Sequence, residues 1–99
     1  MGYRLVFAAQ ADRDLEAIVR FLAENNPAAA ERLGHALVDD ALTLVRMPRR
    51  GAPVLARFGY RRIFHRPWFH LFYRIDESQP LIEIARIWDV RQNPARFSL

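Results

Sequence analysis

The sequence predicts an α+β fold: an N-terminal strand, an antiparallel helical hairpin, then a three-stranded antiparallel meander, all in one sheet with the helices packed on one face. Three observations carry that expectation. Apolar residues recur at helical spacing through the first half of the chain, from Ala11 to Val45. Period-two alternation of aromatic and β-branched residues takes over in the second half, from Tyr60 to Ile87. Between the runs stand turn residues, Asn26-Pro27, Pro48, Gly51, Pro53, His65-Arg66-Pro67 and Asp76 to Pro80. Strand, helix, helix, strand, strand, strand is the order of an α+β domain with its helices segregated to one face.

Each element has its own warrant. Tyr3 to Phe7 alternates imperfectly and reads as a short first strand. Ala11, Leu15, Ile18, Val19 and Leu22 form one stripe of the first helix, with Asp12, Arg13, Glu16, Arg20 and Glu24 opposite. Glu16 and Arg20 sit in the favourable i,i+4 orientation, and no Ser or Thr caps the start. The second helix begins with Asn26 as N-cap and Pro27 at the first helical position. Its stripe is Ala30, Leu33, Leu37, Ala41 and Leu44, widened by Val38, Leu42 and Val45, and Pro48 ends it. So short a connection makes the two helices an antiparallel hairpin. Arg49 to Pro53 reads as a loop and Tyr60 to Phe64 as a strand. The stretch from Trp68 to Arg91 reads as two long strands joined by the Asp76–Pro80 turn. Both faces of Phe69–Ile75 are largely apolar, so this strand should be central. The helices should cover Phe69, Leu71, Tyr73 and Ile75, leaving His70 with Trp68 and Phe72 on the other face. Trp68 and Phe72 are expected to be core residues, because aromatics carry so much burial energy.

Ninety-nine residues, 52% of them hydrophobic, suffice for one domain spanning 1–99 with a compact core. With no cysteine, a disulfide framework and a thiolate metal site are impossible. No apolar run has the length of a membrane span, and the opening MGYRLVF does not read as a signal sequence, so a cytoplasmic location is expected with no membrane partner. All fifteen basic residues are arginine. Residues 1–45 hold four Arg against seven Asp or Glu, a net −3; residues 46–99 hold eleven Arg against four, a net +7. So basic a second half suggests an acidic partner, nucleic acid or protein, against the blander reading of a solvated face.

Motifs narrow the chemistry. His35, His65 and His70 have no metal-ligand spacing, so neither a metal nor another cofactor is expected. There is no glycine-rich phosphate loop and no nucleophile motif; Ser78 and Ser98 fall in a turn and near the terminus. What remains is arginine among aromatics: Arg57, Arg61, Arg62, Trp68, Phe72, Arg86, Trp88 and Arg91 are candidates for contact with a target or partner, with Tyr60 and His70 among them. No helix-turn-helix signal is present, and the acidic helical hairpin would repel DNA, so direct sequence-specific DNA binding is not expected.

Several words, taken in order, carry a resemblance. Tyr3-x-Leu5-x-Phe7, Ala11-x-x-Asp14-Leu15-x-x-Ile18, Asn26-Pro27-x-x-Ala30, Pro48-x-x-Gly51, Gly59-Tyr60-Arg61, Leu71 to Asp76 and Ile84 to Arg91 together resemble the RelE/ParE superfamily of toxins from bacterial toxin–antitoxin systems. The resemblance implies growth inhibition, a role in plasmid stabilisation for some members, and neutralisation by a cognate antitoxin, usually one that dimerises through a DNA-binding domain. RelE-like members are ribosome-dependent endoribonucleases that cut mRNA in the A site. ParE-like members poison DNA gyrase without a known reaction of their own. Under the ribonuclease branch the resemblance would assign Arg61, His70 and Arg91 to the site. This chain departs from that branch: Ile63 replaces a second basic residue, His70 stands where arginine is expected, and Asp89 and Phe97 occur near the C-terminus with no Tyr or His after Arg91. Cleavage by 2′-hydroxyl attack needs an acid and a base, and one histidine does not rebuild the pair. Asn26-Pro27, Pro48-x-x-Gly51 and Arg86 to Pro94 resemble the ParE side, so a ParE-like gyrase inhibitor is expected, with the RelE-type ribonuclease as the alternative.

Overall fold

The chain begins with a short strand, β1 (Arg4–Phe7), and runs directly into α1 (Ala9–Ala23) and α2 (Pro27–Leu42). The structure is a computed structural model that describes residues 2–99; Met1, the first residue of the expected domain, lies outside the described residues. Asn26 caps α2 as its sequence suggests, its Oδ1 accepting the Ala29 N–H at 3.0 Å. The start of α1 has no side-chain cap. Expected to run to Val45, α2 ends at Leu42 and tightens into a 3-10 turn over Thr43–Val45, with the Thr43 hydroxyl donating to the Asp40 carbonyl. Among the described residues no helix is long and apolar enough to cross a membrane.

The meander follows as β3 (Tyr60–His65), β4 (Phe69–Asp76) and β5 (Leu81–Asp89), preceded by a two-residue edge strand, β2 (Ala52–Pro53), in what reads as a loop from sequence. The sheet order is β1-β5-β4-β3-β2, so β4 is the middle strand, as its two apolar faces require. The meander is antiparallel as expected, and the first strand makes the whole sheet mixed, because β1 pairs with β5 in parallel, Arg4 against Leu81 to Phe7 against Ile84. The helical hairpin carries the chain from β1 across the sheet to β2 at the opposite edge, and the meander brings it back to β5, so the parallel pair is joined by a long crossover.

Ala11, Leu37, Ala41 and Leu44 from the helical layer pack on Ile63, Phe69, Leu71, Tyr73, Ile82, Ile84 and Ile87 from the sheet. Each fully buried large side chain contributes roughly 1.5–3 kcal/mol by leaving water. The face carrying Phe69, Leu71 and Tyr73 is therefore the covered one, and His70 and Phe72 lie on the outer face, as alternation predicts. In β5 the alternation breaks. Phe72 pairs with Arg86 but the next residue, Tyr73, pairs with Ile84, so Ala85 is an extra residue in a bulge. Ile82 and Ile84 face the helices before the bulge and Ile87 after it, which turns Arg86 and Trp88 outward.

The outer face is not left open. The chain beyond β5 makes a 3-10 turn at Pro94–Arg96 and lays Phe97 on it, 4.7 Å from Phe72 and 5.0 Å from Trp88 between ring centroids. Phe72 is left 4% exposed and Trp88 9%. Trp68, expected in the core, is instead 42% exposed: it precedes the first residue of β4, and its ring faces the Arg91 guanidinium at 4.8 Å.

A second tie fixes the segment between the helices and β3. The buried Tyr73 hydroxyl donates to the Pro48 carbonyl at 2.6 Å and accepts the Gly51 N–H at 3.0 Å. Burial pushes this phenol above its ordinary pKa, so it stays protonated as the donor. A Cβ on Gly51 would stand 2.6 Å from that hydroxyl and 2.7 Å from the Arg62 carbonyl oxygen. That close approach explains the glycine in Pro48-x-x-Gly51. Tyr73→Phe should lower stability by about 2 kcal/mol, because it orphans one donor and one acceptor, and Gly51→Ala by about 1–3 kcal/mol through overpacking. The two changes strike one contact, so urea denaturation of the double variant should show less than the sum. Full additivity would mean that the glycine is there for another reason.

Candidate functional site

The arginine–aromatic candidates divide between the two faces of the sheet. Arg61 pairs across strands with Tyr73, so it shares the helix-covered face, and it donates to the Gly51 carbonyl at 2.7 Å and more weakly to the Arg49 carbonyl at 3.4 Å. It helps the Tyr73 hydroxyl hold the 48–51 turn. Arg62, one residue on, lies on the outer face with Phe64 and His70. The structure therefore separates Arg61 from His70 rather than bringing them together. A sequence argument had the means to see this: Ile63 faces the core with Leu71, and Arg61 has the parity of Ile63.

His70 lies between Phe64 and Phe72, with ring centroids at 5.1 and 5.7 Å in edge-on geometry. It lines an open hollow with Arg50, Ala52, Arg62, Ile63 and Phe64. Burial holds its imidazole below the ordinary histidine range, and the Arg62 charge adds to the effect. No carboxylate pairs with it among the described residues. The histidine that does have one is His65, whose Nδ1 lies 2.9 Å from Asp40 Oδ2. Arg50 completes that cluster, donating to Asp40 Oδ1 at 2.6 Å and to the Thr43 hydroxyl at 3.0 Å. These contacts join the C-terminal end of α2 to the end of β3.

Three of the other candidate arginines, Arg57, Arg86 and Arg91, are held by the protein itself. Arg91 is clamped by Asp89, Nε to Oδ1 at 3.0 Å and one terminal nitrogen to Oδ2 at 2.7 Å, with the Arg91 backbone N–H also donating to Oδ1 at 2.9 Å. The Arg91 guanidinium holds the Asp89 carboxyl below the usual carboxylate range. Arg57 donates to the Leu99 carbonyl at 2.6 Å and lies 5.2 Å from the Tyr60 ring centroid. Arg86 makes two bonds to Asp14 of α1, at 2.8 and 3.1 Å, and a third to the Ser98 carbonyl at 2.8 Å. Asp14 Oδ2 also accepts the Ile87 N–H at 2.9 Å. Among the candidates, Arg62 is the outer-face arginine with no carboxylate partner among the described residues.

Sequence reasoning missed four residues that shape this region. Phe97 covers Phe72 and Trp88, and its only signal is an aromatic in a tail that otherwise looks like a loose end. Asp14 appears as one letter of a family-like word, but its partners lie over seventy residues away. Leu55 and Phe58 are 98% and 100% exposed in the loop between β2 and β3, where two large apolar residues in a turn were the available signal.

Comparison with known proteins now bears on this geometry. A family model described as the ParE toxin of type II toxin-antitoxin system, parDE, matches residues 5–94. No curated protein matches the chain. Among solved structures, the chromosomal ParDE toxin–antitoxin system from P. aeruginosa is similar at a TM-score of 0.77 and 24% identity, over 89% of this chain and 96% of that one. The RelBE2 toxin–antitoxin complex from Mycobacterium tuberculosis is similar at 0.66 and 29% identity, over 90% and 99%. The isolated RelE toxin of E. coli is similar at 0.60 and 15% identity, over 94% and 89%. The P. aeruginosa and E. coli structures, both under a quarter identical, speak to the fold alone. The family model spans nearly the whole chain, and the chain belongs to the ParE toxin family of type II toxin–antitoxin systems, within the RelE/ParE superfamily.

Proposed function

We propose that this chain, as one toxin domain, acts in the cytoplasm by binding and inhibiting DNA gyrase, performs no reaction of its own, and is held inactive by a cognate antitoxin. The observation that carries this reading is the commitment of the arginines. Of the three residues a ribonuclease would need, Arg61 is spent on the Gly51 carbonyl on the far face and Arg91 on Asp89, and His70 has no acid or base partner. Stabilising a scissile phosphate takes free, converging cations, and proton transfer takes a matched acid and base. A surface that inhibits by binding needs neither. The antitoxin should supply an acidic, partly apolar segment that orders on binding, because eleven arginines in the second half call for carboxylates. The P. aeruginosa and M. tuberculosis neighbours, described as a toxin–antitoxin system and a toxin–antitoxin complex, support such a partner.

One observation favours the RelE-type reading: the hollow that gathers Arg50, Arg62 and His70 beside Phe64. An assay separates the two. Added to gyrase, the protein should lower supercoiling or accumulate cleaved-DNA complexes. Ribosomes programmed with mRNA should keep their message intact. A-site cleavage, slowed about 100-fold or more by Arg61→Ala or Arg91→Ala, would instead establish the ribonuclease. Expression without the antitoxin should arrest growth, and normal growth would argue against a toxin.

His70 gives a second test, with a definite sign. An unfolded histidine titrates near ~6.5, and the folded value is lower. Between the two the unfolded chain binds a proton that the fold refuses, so stability falls as pH drops through that window. His70→Gln removes this dependence, so the variant should lose less stability than the parent between pH 7 and 5, read by chemical denaturation at each pH. A parent–variant difference independent of pH would contradict the placement of His70. Toxicity should survive the substitution; its loss at an unchanged Tm would favour the ribonuclease.

A further inference from the structure

We propose that the loop between β2 and β3 is a docking knob that inserts Leu55 and Phe58 into an apolar, carboxylate-rimmed cavity on the folded protein that this toxin inactivates. The inference rests on the toxin reading and adds the surface through which it acts.

A single exposed apolar side chain means little. Here two large ones, 98% and 100% exposed, stand three residues apart on one short loop, and that loop is built to hold them out. The Val54 N–H donates to the Tyr60 carbonyl at 2.8 Å, the Arg57 N–H to the Val54 carbonyl at 3.1 Å, and the Tyr60 N–H to the Arg57 carbonyl at 3.3 Å. Between the exposed pair, the Arg57 side chain donates to the Leu99 carbonyl at 2.6 Å and lies over the Tyr60 ring, which ties the loop to Leu99 and to the start of β3. Gly59 closes the loop at a φ of +89°, in the left-handed region where a side chain would be strained. A preorganised loop loses little freedom on binding, and an aromatic seated in a pocket is the usual form of a binding hot spot.

Charge and shape select the partner. Residues 46–66 contain seven arginines and no Asp or Glu. Arg49 and Arg50 are paired with Glu77 and Asp40, but the other five have no Asp or Glu partner among the described residues, so the knob rises from a basic surround that matches carboxylates around a pocket. Nucleic acid would also attract the arginines, but aliphatic Leu55 has no face on which a base can stack. A projecting knob needs a preformed cavity, which a folded target has. An antitoxin segment that orders only on binding has none and would need a groove instead.

The test uses the full chain with Leu55→Ser, Phe58→Ser and both. Neither side chain packs on anything, so all three variants should keep the parent Tm. In gyrase binding and supercoiling assays each single change should weaken binding and inhibition at least about tenfold, and the double change more, with binding to the cognate antitoxin unchanged. Parental inhibition by the double variant would overturn the proposal. So would loss of antitoxin binding with inhibition intact, or a dimer of the parent that the double variant abolishes. If the parent leaves gyrase untouched, the gyrase reading fails, and growth arrest then decides for the knob. Arrest by the parent but not by the double variant supports it with a different protein target, and equal arrest by both refutes it.

Discussion

The Asp14 carboxylate, nearly buried where α1 meets β5, is the contact on which both faces of the sheet depend. β1 ends at Phe7, opposite Ile84, so the edge of β5 beyond that point has no strand to pair with. The Ile87 N–H faces that bare edge. Asp14 takes it, and takes two bonds from Arg86 as well. An edge donor beside a helix would otherwise be left unsatisfied at about 1–3 kcal/mol. The same contact sits beside the bulge at Ala85, which inverts the side-chain phase of β5. Without the inversion Arg86 and Trp88 would lie under α1, where the core has no room for an arginine. With it, Trp88 joins Phe72 on the outer face and gives Phe97 a platform. Arg86 then spans the edge: Asp14 on one side, the Ser98 carbonyl and the Trp88 and Phe97 rings on the other, the ring centroids at 5.6 and 5.5 Å from its guanidinium carbon. Helix layer and tail are thereby locked to one strand by one side chain.

What the sequence could disclose follows the range of each interaction. The Asn26 cap, the helical stripes and the two-sided apolarity of Phe69–Ile75 are local, and they placed the helices, the hairpin and the central strand correctly. Parallel pairing of β1 with β5 joins residues over seventy positions apart, and nothing near Arg4 or Leu81 encodes it. The bulge is hidden for a related reason: Ile84, Ala85, Arg86 and Ile87 read equally well as unbroken alternation until the register against β4 is known. The site suffered most. Arginines and aromatics that look like one constellation along the chain are parted by the sheet, Arg61 inward and Arg62 outward, and most are spent on carbonyls and carboxylates. Two residues of the same type in succession are told apart only by the face each one takes, which here had to be read from the parity of Ile63.

The superfamily to which the chain belongs includes both solved relatives described as RelE or RelBE toxins and one described as ParDE, so the shared fold does not choose a mechanism. Side-chain commitments support the binding reading proposed above. A cation already bonded to a protein carboxylate has little left for a phosphate, since that partner must first be displaced. The part of the outer face around Phe72 and Trp88, covered by the chain's own tail and pinned by Arg86, is built as a packed surface. The proposed docking surface lies at the basic stretch from Arg46 to Arg66, where Arg49 and Arg50 are paired with Glu77 and Asp40 but the other arginines have no Asp or Glu partner among the described residues and exposed apolar side chains stand between them.

The central claim, that Asp14 and Arg86 act as one clamp on β5, is tested most directly by a double-mutant cycle with Asp14→Ala and Arg86→Ala, measured by denaturant unfolding with Trp fluorescence as the probe. The account predicts a coupling of about 2 kcal/mol. The Asp14→Ala single should be the more damaging, because it also orphans the Ile87 N–H, and the tryptophan emission should shift to the red as Phe97 lifts from Trp88. Additive losses, with emission unchanged in both singles, would contradict it.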